Sequence, residues 1–189
     1  MRDNCCEVKD RHLPTVLMDN VIRRLVSPPK KKISRFIQSG SVAADIGCGP
    51  GYFTIPMAEL AGPTGRVYAV DSDPKSIQAV IVKSQARGVQ KVIEARTASA
   101  ADIQFIPDRS VDFVFANGLL CCMTDHIGAV AQIKRILKPN ALAYVSVSKI
   151  YRRHDSRAVR EEEWNHILTK FNVREKREGL TNRWAIISC

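Results

Sequence analysis

The sequence predicts an α/β protein, a doubly wound and mostly parallel sheet with helices on both faces. Three observations carry this. From residue 42 onward, apolar strand-like runs alternate with stretches of helical periodicity, and strand–helix–strand succession builds parallel pairing. The first of these strands runs into glycines at alternate positions, Gly47, Gly49 and Gly51. Glycines there allow positive φ and remove Cβ atoms, so a ligand can lie against bare backbone where a helix begins. Finally, the chain ends in two β-like runs joined by a short polar turn, an antiparallel hairpin that completes the sheet.

Taken in order, residues 1–14 are polar and read as loop. Thr15 to Val26 places Val16, Leu17, Val21, Ile22, Leu25 and Val26 near helical spacing. Ser27-Pro28-Pro29 interrupts that helix, because proline disfavours helical geometry in the residue before it. A second helix is expected from Pro29 to Gln38, ended by Ser39-Gly40. Residues 1–40 therefore read as an N-terminal helical cap or lid, and 41–189 as the main domain. Strands are expected near 42–46, 66–70, 91–95, 111–116 and 141–147, and helices near 52–61, 74–86 and 124–137. Gly62-Pro63-Thr64-Gly65 and Lys138-Pro139-Asn140 supply turns between helix and strand. A charged helix near 155–169 precedes the runs Phe171–Arg177 and Arg183–Ser188, which bring the strands to seven.

At 189 residues the chain fits one domain with a sizeable core. No apolar run approaches the ~20 residues that cross a bilayer, and Met1 to Glu7 lacks a signal-peptide core, so a cytoplasmic protein is expected. The six cysteines (Cys5, Cys6, Cys48, Cys121, Cys122, Cys189) are then reduced thiols. They include no Cys-x-x-Cys spacing, and no metal site is expected. The net charge of +10 sits at the ends: residues 1–40 carry 9 basic and 4 acidic side chains, and residues 141–189 carry 10 and 6. That distribution suits an anionic substrate or RNA, and equally a solvated basic surface.

The glycine turn is not a dinucleotide fingerprint. Gly-x-Gly-x-x-Gly needs a third glycine for close helix–strand packing, and Tyr52 stands there. Instead the pattern is Gly-x-Gly-x-Gly preceded by Asp45, and the second strand ends on Asp71, where a carboxylate can accept both hydroxyls of a ribose. Asp73-Pro74 reads as helix N-cap and first helical position.

Asp-Ile-Gly-Cys-Gly-Pro-Gly (45–51), Val-Tyr-Ala-Val-Asp-Ser-Asp-Pro (67–74), Pro-Asp-Arg-Ser-Val-Asp-Phe-Val (107–114) and Leu-Lys-Pro-Asn (137–140) stand in that order. Together they resemble the class I S-adenosylmethionine-dependent methyltransferases, particularly the ubiquinone/menaquinone-type, small-molecule branch. The resemblance covers about 42–147. It implies a Rossmann-like, seven-stranded fold with S-adenosyl-L-methionine as cofactor and S-adenosyl-L-homocysteine as product. It also implies that Gly47, Gly49 and Gly51 line the methionine and ribose, and that Asp45 faces the cofactor's amino group. Asp71 would bind the ribose diol with Ser72 beside the adenine. Ser99 and Ala100 would meet the adenine edge, and Asn117-Gly118-Leu119 would lie under the sulfonium. Two departures stand out. The family commonly has Asp where Ser99 stands, with Asp102 the nearby alternative, and Leu120-Cys121-Cys122 replaces a frequent Leu-His-His.

Methyl transfer from a sulfonium is an in-line displacement that needs alignment above all, with a general base only if the acceptor must first lose a proton. No catalytic residue is assigned from the sequence. Asn117-Gly118-Leu119-Leu120 lacks the Asn/Asp-Pro-Pro-Tyr/Phe of exocyclic-amine methylation. A small-molecule acceptor is the expectation; the alternatives are an RNA methyltransferase and a non-catalytic S-adenosylmethionine-binding partner protein. Cys121 and Cys122, with Cys5 and Cys6 brought over by the N-terminus, suggest a thiophilic acceptor, against their packing as small hydrophobes. His12, His126, His154 and His166 are scattered and read as surface or hydrogen-bonded residues.

Overall fold

The computed structural model describes residues 29–150 and 154–189; the expected helix at Thr15 to Val26, Cys5, Cys6 and His12 lie outside them. The described elements are α1 (Pro29–Ile33), β1 (Val42–Ile46), α2 (Thr54–Ala61), β2 (Arg66–Asp71), α3 (Pro74–Ala86), β3 (Ile93–Thr97), β4 (Val111–Asn117), α4 (His126–Ile136), β5 (Leu137–Ser148), α5 (Glu161–Leu168), β6 (Asn172–Glu178) and β7 (Asn182–Ser188). A 3₁₀ turn covers Leu120–Cys122. The seven strands form one sheet in the order β3-β2-β1-β4-β5-β7-β6. The first five pair in parallel and the last two antiparallel.

This order reverses direction at β1, with β2 on one side and β4 on the other. Ligands of open α/β sheets bind at such a switch point, outside the carboxyl ends of the strands. Alternation along each strand sends side chains to opposite faces. One face carries Phe113, Phe115, Tyr144 and Ile186 and packs with Ile33, Ile37 and Met57 from α1, its following turn and α2. Ala69, beside α3 residues Ile77 and Val80, forms a smaller cluster. The other carries Ile46, Val114, Val145 and Ile187 against α4 and α5 residues Ile133, Trp164 and Leu168. The core is therefore two apolar layers either side of the sheet.

Element ends show local chemistry. Asp73 caps α3, accepting from the Lys75 N–H at 3.0 Å and the Ser76 hydroxyl at 3.0 Å, with Pro74 next. Asp125 caps α4 through the Gly128 N–H at 2.8 Å. Gly62 stops α2 at φ +68° and donates to the Ala58 carbonyl at 3.0 Å.

Several boundaries differ from the sequence expectations. The helix expected over Pro29 to Gln38 closes at Ile33 and continues as turn, with Ile33 and Ile37 both buried. The helix expected from Tyr52 begins at Thr54, because the glycine turn extends through Phe53. The strand expected at 91–95 spans Ile93–Thr97, its register set by pairing Val67 with Ile93 and Asp71 with Thr97. Lys138-Pro139-Asn140 is not a turn outside the sheet. Leu137 pairs with Val111, the register slips, and Leu142 pairs with Phe113, with Asn140 at φ +63° absorbing the irregularity. The charged helix expected near 155–169 spans only Glu161–Leu168, starting where three glutamates occupy its first turn and complement the helix dipole.

Candidate functional site

At the carboxyl end of β1 the chain turns through Gly47, Gly49 and Gly51 at φ +77°, +51° and +84°. All three lie in the left-handed region that disfavours side chains. Space is short as well: a Cβ on Gly47 would sit 3.0 Å from Leu119 Cδ1, and one on Gly51 3.1 Å from Val80 Cγ2. The turn is tied to β2 by its backbone, with the N–H groups of Gly47 and Cys48 donating to the Val70 carbonyl at 2.8 and 3.0 Å. Lys83 of α3 donates to the Pro50 carbonyl at 2.6 Å.

Asp71, at the end of β2, joins the glycine turn to the start of α3. Its Oδ2 accepts the Gly49 N–H at 2.8 Å and its Oδ1 the Asp73 N–H at 2.9 Å. Asp45 is buried beneath the turn, and Thr54 donates its hydroxyl to Asp45 Oδ2 at 2.6 Å. Burial pushes the Asp45 carboxyl up to about 7, with the Thr54 hydrogen bond opposing this and the charge of nearby Asp71 adding to it. Burial likewise drives the Cys48 thiol well above its ordinary value, and the charges of Asp45 and Asp71 reinforce that. A cation entering beside Asp45 would favour its carboxylate form.

The remaining expected residues line two neighbouring loops. Ser72 is half-buried between Asp71 and the α3 cap. Ser99 is exposed in the turn after β3, where its hydroxyl accepts from the Ala101 N–H at 3.3 Å and its carbonyl from the Asp102 N–H at 2.9 Å. Ala100 is buried, and Asp102 is exposed. The Ala98 N–H donates to the Asp71 carbonyl at 3.1 Å, so the Ser99 loop is fastened to the end of β2.

Asn117 ends β4 and accepts from Lys32 Nζ and from the Ser146 hydroxyl of β5, each at 3.1 Å. Gly118 follows at φ +72°, and among the described residues a Cβ there would meet nothing within 4 Å. Sequence reasoning missed Lys32, Thr54 and Ser146. Ser146 and Tyr144 alternate with Asn117 and Phe115 on facing strands, a period-2 signal that a register would have exposed. Nothing local points to Lys32, whose ammonium lies 4.3 Å from the Tyr144 ring centre.

Cys121 donates its thiol to the Gly118 carbonyl at 3.2 Å, and both Cys121 and Cys122 are half-buried. His126 is buried, with one ring nitrogen 2.5 Å from Glu163 Oε1 and the other 2.9 Å from the Met123 carbonyl. Its ring bridges α4 to α5 and is committed to that role. Among the described residues no group of three His, Cys, Asp or Glu could hold a metal ion.

A switch point with a glycine cradle and an acidic strand end beside it defines the class: an α/β protein with a nucleotide-type cofactor site. The family follows from comparison. Residues 44–145 match the model of the methyltransferase domain, and the chain belongs to that family. It is 31% identical over 106 residues to the demethylmenaquinone methyltransferase of Geobacillus stearothermophilus, covering 56% of this chain and 44% of that protein. To the enzyme of the same name from Anoxybacillus flavithermus it is 31% identical over 125 residues, covering 65% of this chain and 52% of that protein. The chain thus spans about half the length of the curated relatives it matches. Among solved structures, a SAM-dependent methyltransferase from Aquifex aeolicus superposes with a TM-score of 0.77 at 23% identity, covering 92% of this chain and 95% of that one. That likeness is one of fold. The residues fit S-adenosylmethionine in kind: bare backbone for a close approach, a buried acid whose charge a cationic amino group would favour, and a strand-end carboxylate.

Proposed function

We propose that the protein transfers a methyl group from S-adenosyl-L-methionine to a small-molecule acceptor and releases S-adenosyl-L-homocysteine. The observation that carries this reading is the bond from the Gly49 N–H to Asp71 Oδ2, within the family-matched span. It couples the cradle to the strand-end acid, so both are set before a ligand arrives. In this reading Gly47, Gly49 and Gly51 admit the methionine and ribose, Asp45 faces the amino group, and Asp71 holds the ribose diol. Ser72, Ser99 and Ala100 border the adenine, and Asn117 borders the sulfonium. The cofactor supplies an activated methyl and a neutral leaving group. The chain's residues align the acceptor and exclude water, a contribution that positioning alone can make large. Residues 41–189 form the cofactor-binding domain, with Ile33 and Ile37 packed on its sheet.

The names of the curated relatives support a small-molecule acceptor. The free thiols of Cys48 and Cys189 suit a reducing, cytoplasmic setting; among the described residues no helix is long and apolar enough to cross a membrane. The test is incubation with methyl-labelled S-adenosylmethionine and cell extract, fractionated afterwards into RNA, protein, lipid and small-molecule pools. Label is expected in the small-molecule pool and absent from it with Asp71→Ala. Label confined to RNA would support the nucleic-acid alternative, and no incorporation with intact cofactor binding would identify a non-catalytic binder.

A further inference from the structure

Beside the glycine cradle, three aromatic rings converge at the end of β4 and β5. Phe53 and Phe115 lie 4.5 Å apart, Phe115 and Tyr144 4.9 Å, and Tyr144 stacks on Trp184 at 5.7 Å. The Lys32 ammonium sits among them, 4.3 Å from the centre of Tyr144, 5.6 Å from Phe115 and 5.8 Å from Phe53, with Asn117 Oδ1 accepting its hydrogen bond at 3.1 Å. Ring faces carry negative potential and attract cations within ~6 Å, and the amide oxygen adds a directed acceptor. Burial pushes the Tyr144 hydroxyl up to about 12, so the ring stays a neutral phenol.

The segment that carries Lys32 is docked by other side chains as well. Ile33 and Ile37 are buried, Phe36 stacks on Phe113 at 4.6 Å, and Lys30 and Arg35 pair with Glu59 and Glu175 at 2.8 and 3.1 Å. Taking an ammonium partly out of water costs free energy unless the surroundings favour charge. A box of ring faces with an amide oxygen does so, and its Asn117 is followed directly by Gly118, where among the described residues an added Cβ would meet nothing within 4 Å.

We propose that Phe53, Phe115, Tyr144 and Asn117 form a binding site for a cationic ammonium head, which Lys32 of the same chain fills until the head of the methyl acceptor replaces it. The proposal rests on the methyltransferase reading and narrows its acceptor to a molecule bearing a positively charged nitrogen. The head is an anchor, and no bond to it is made or broken.

Lys32→Ala opens the box, and tetramethylammonium is the probe, with neutral 3,3-dimethyl-1-butanol as the shape-matched control. Binding is read from the fluorescence of Trp184, stacked on Tyr144. Lys32→Ala is expected to bind tetramethylammonium at least tenfold more tightly than the unaltered protein and at least tenfold more tightly than it binds the alcohol. Adding Tyr144→Ala should remove that gain. Lys32→Met fills the box with a neutral stem and should leave the probe excluded, which separates lost charge from lost folding. Equal binding of probe and alcohol, or no gain in Lys32→Ala while Lys32→Met keeps its thermal stability, overturns the proposal. S-adenosylmethionine affinity is measured in the same preparations. If it is intact while the ammonium arm fails, only the box is wrong; if the unaltered protein does not bind the cofactor, the methyltransferase reading fails first.

Discussion

The two halves of the cleft are built by different means. The half at β1 and β2 is made of backbone and carboxylates close in sequence: the turn through Gly51, and Asp71 accepting from Gly49 and Asp73. The half at β4 and β5 is made of side chains gathered from distant positions, with Lys32 and Ser146 both donating to Asn117. A cradle of N–H groups and positive-φ glycines can be altered only at the cost of strain or orphaned donors. A pocket of side chains can be rebuilt one residue at a time without disturbing the turn beside it. One fold can thus keep a common methyl donor while its acceptors diverge.

The largest expected effect tests whether the first half is a single unit. Asp71→Ala leaves the N–H groups of Gly49 and Asp73 without that acceptor, and bonds to a charged partner are worth about 1.5–3 kcal/mol each. S-adenosylhomocysteine affinity, measured by calorimetry, should fall at least a hundredfold, about 2.7 kcal/mol. Asp71→Asn keeps one carbonyl acceptor and should lose about tenfold, near 1.4 kcal/mol. Equal losses in the two variants would break the idea that Asp71 works by holding the turn.

The next effect concerns stability, and it isolates Asp45. Native Asp45 holds its proton up to about 7, while its ordinary value is 3.8. Between those values the folded state binds more protons than the unfolded chain, so this residue's contribution to stability falls as pH rises. The two values set a ceiling of about 4 kcal/mol, at roughly 1.4 kcal/mol per pH unit. Urea melts at pH 5 and pH 8 on the unaltered protein and Asp45→Asn check it. The variant should lack this part of the slope, and parallel pH profiles would refute the assignment.

What could be read from the sequence divides along the same line. The glycine turn, the acid ending β2 and the Asp73 cap are local patterns, each fixed by residues within a few positions, and the strand–helix alternation set the parallel sheet. The β5 irregularity at Lys138 to Asn140 could not be read, because a proline beside an asparagine signals a turn whether or not a neighbouring strand captures the residues before it. Lys32 was illegible for a deeper reason. Its neighbours Lys30 and Lys31 look the same in sequence, and only the packing of Ile33 and Ile37 decides which of the three points to the rings.

The smallest expected effect lies where the two halves meet. Gly47 approaches Leu119, and Cys121 donates to the carbonyl of Gly118 just beyond it. Cys121→Ser keeps a donor at that position, so cofactor affinity should change by less than twofold, under about 0.4 kcal/mol. Cys122→Ser added to it should change methyl transfer no more than it changes stability if both thiols serve only to shape the loop. If transfer collapses while cofactor affinity and melting temperature hold, a thiol takes part in handling the acceptor. Soft-ligand chemistry would then replace ring-face attraction as the basis of selectivity in the second half, while the first half kept its role unchanged.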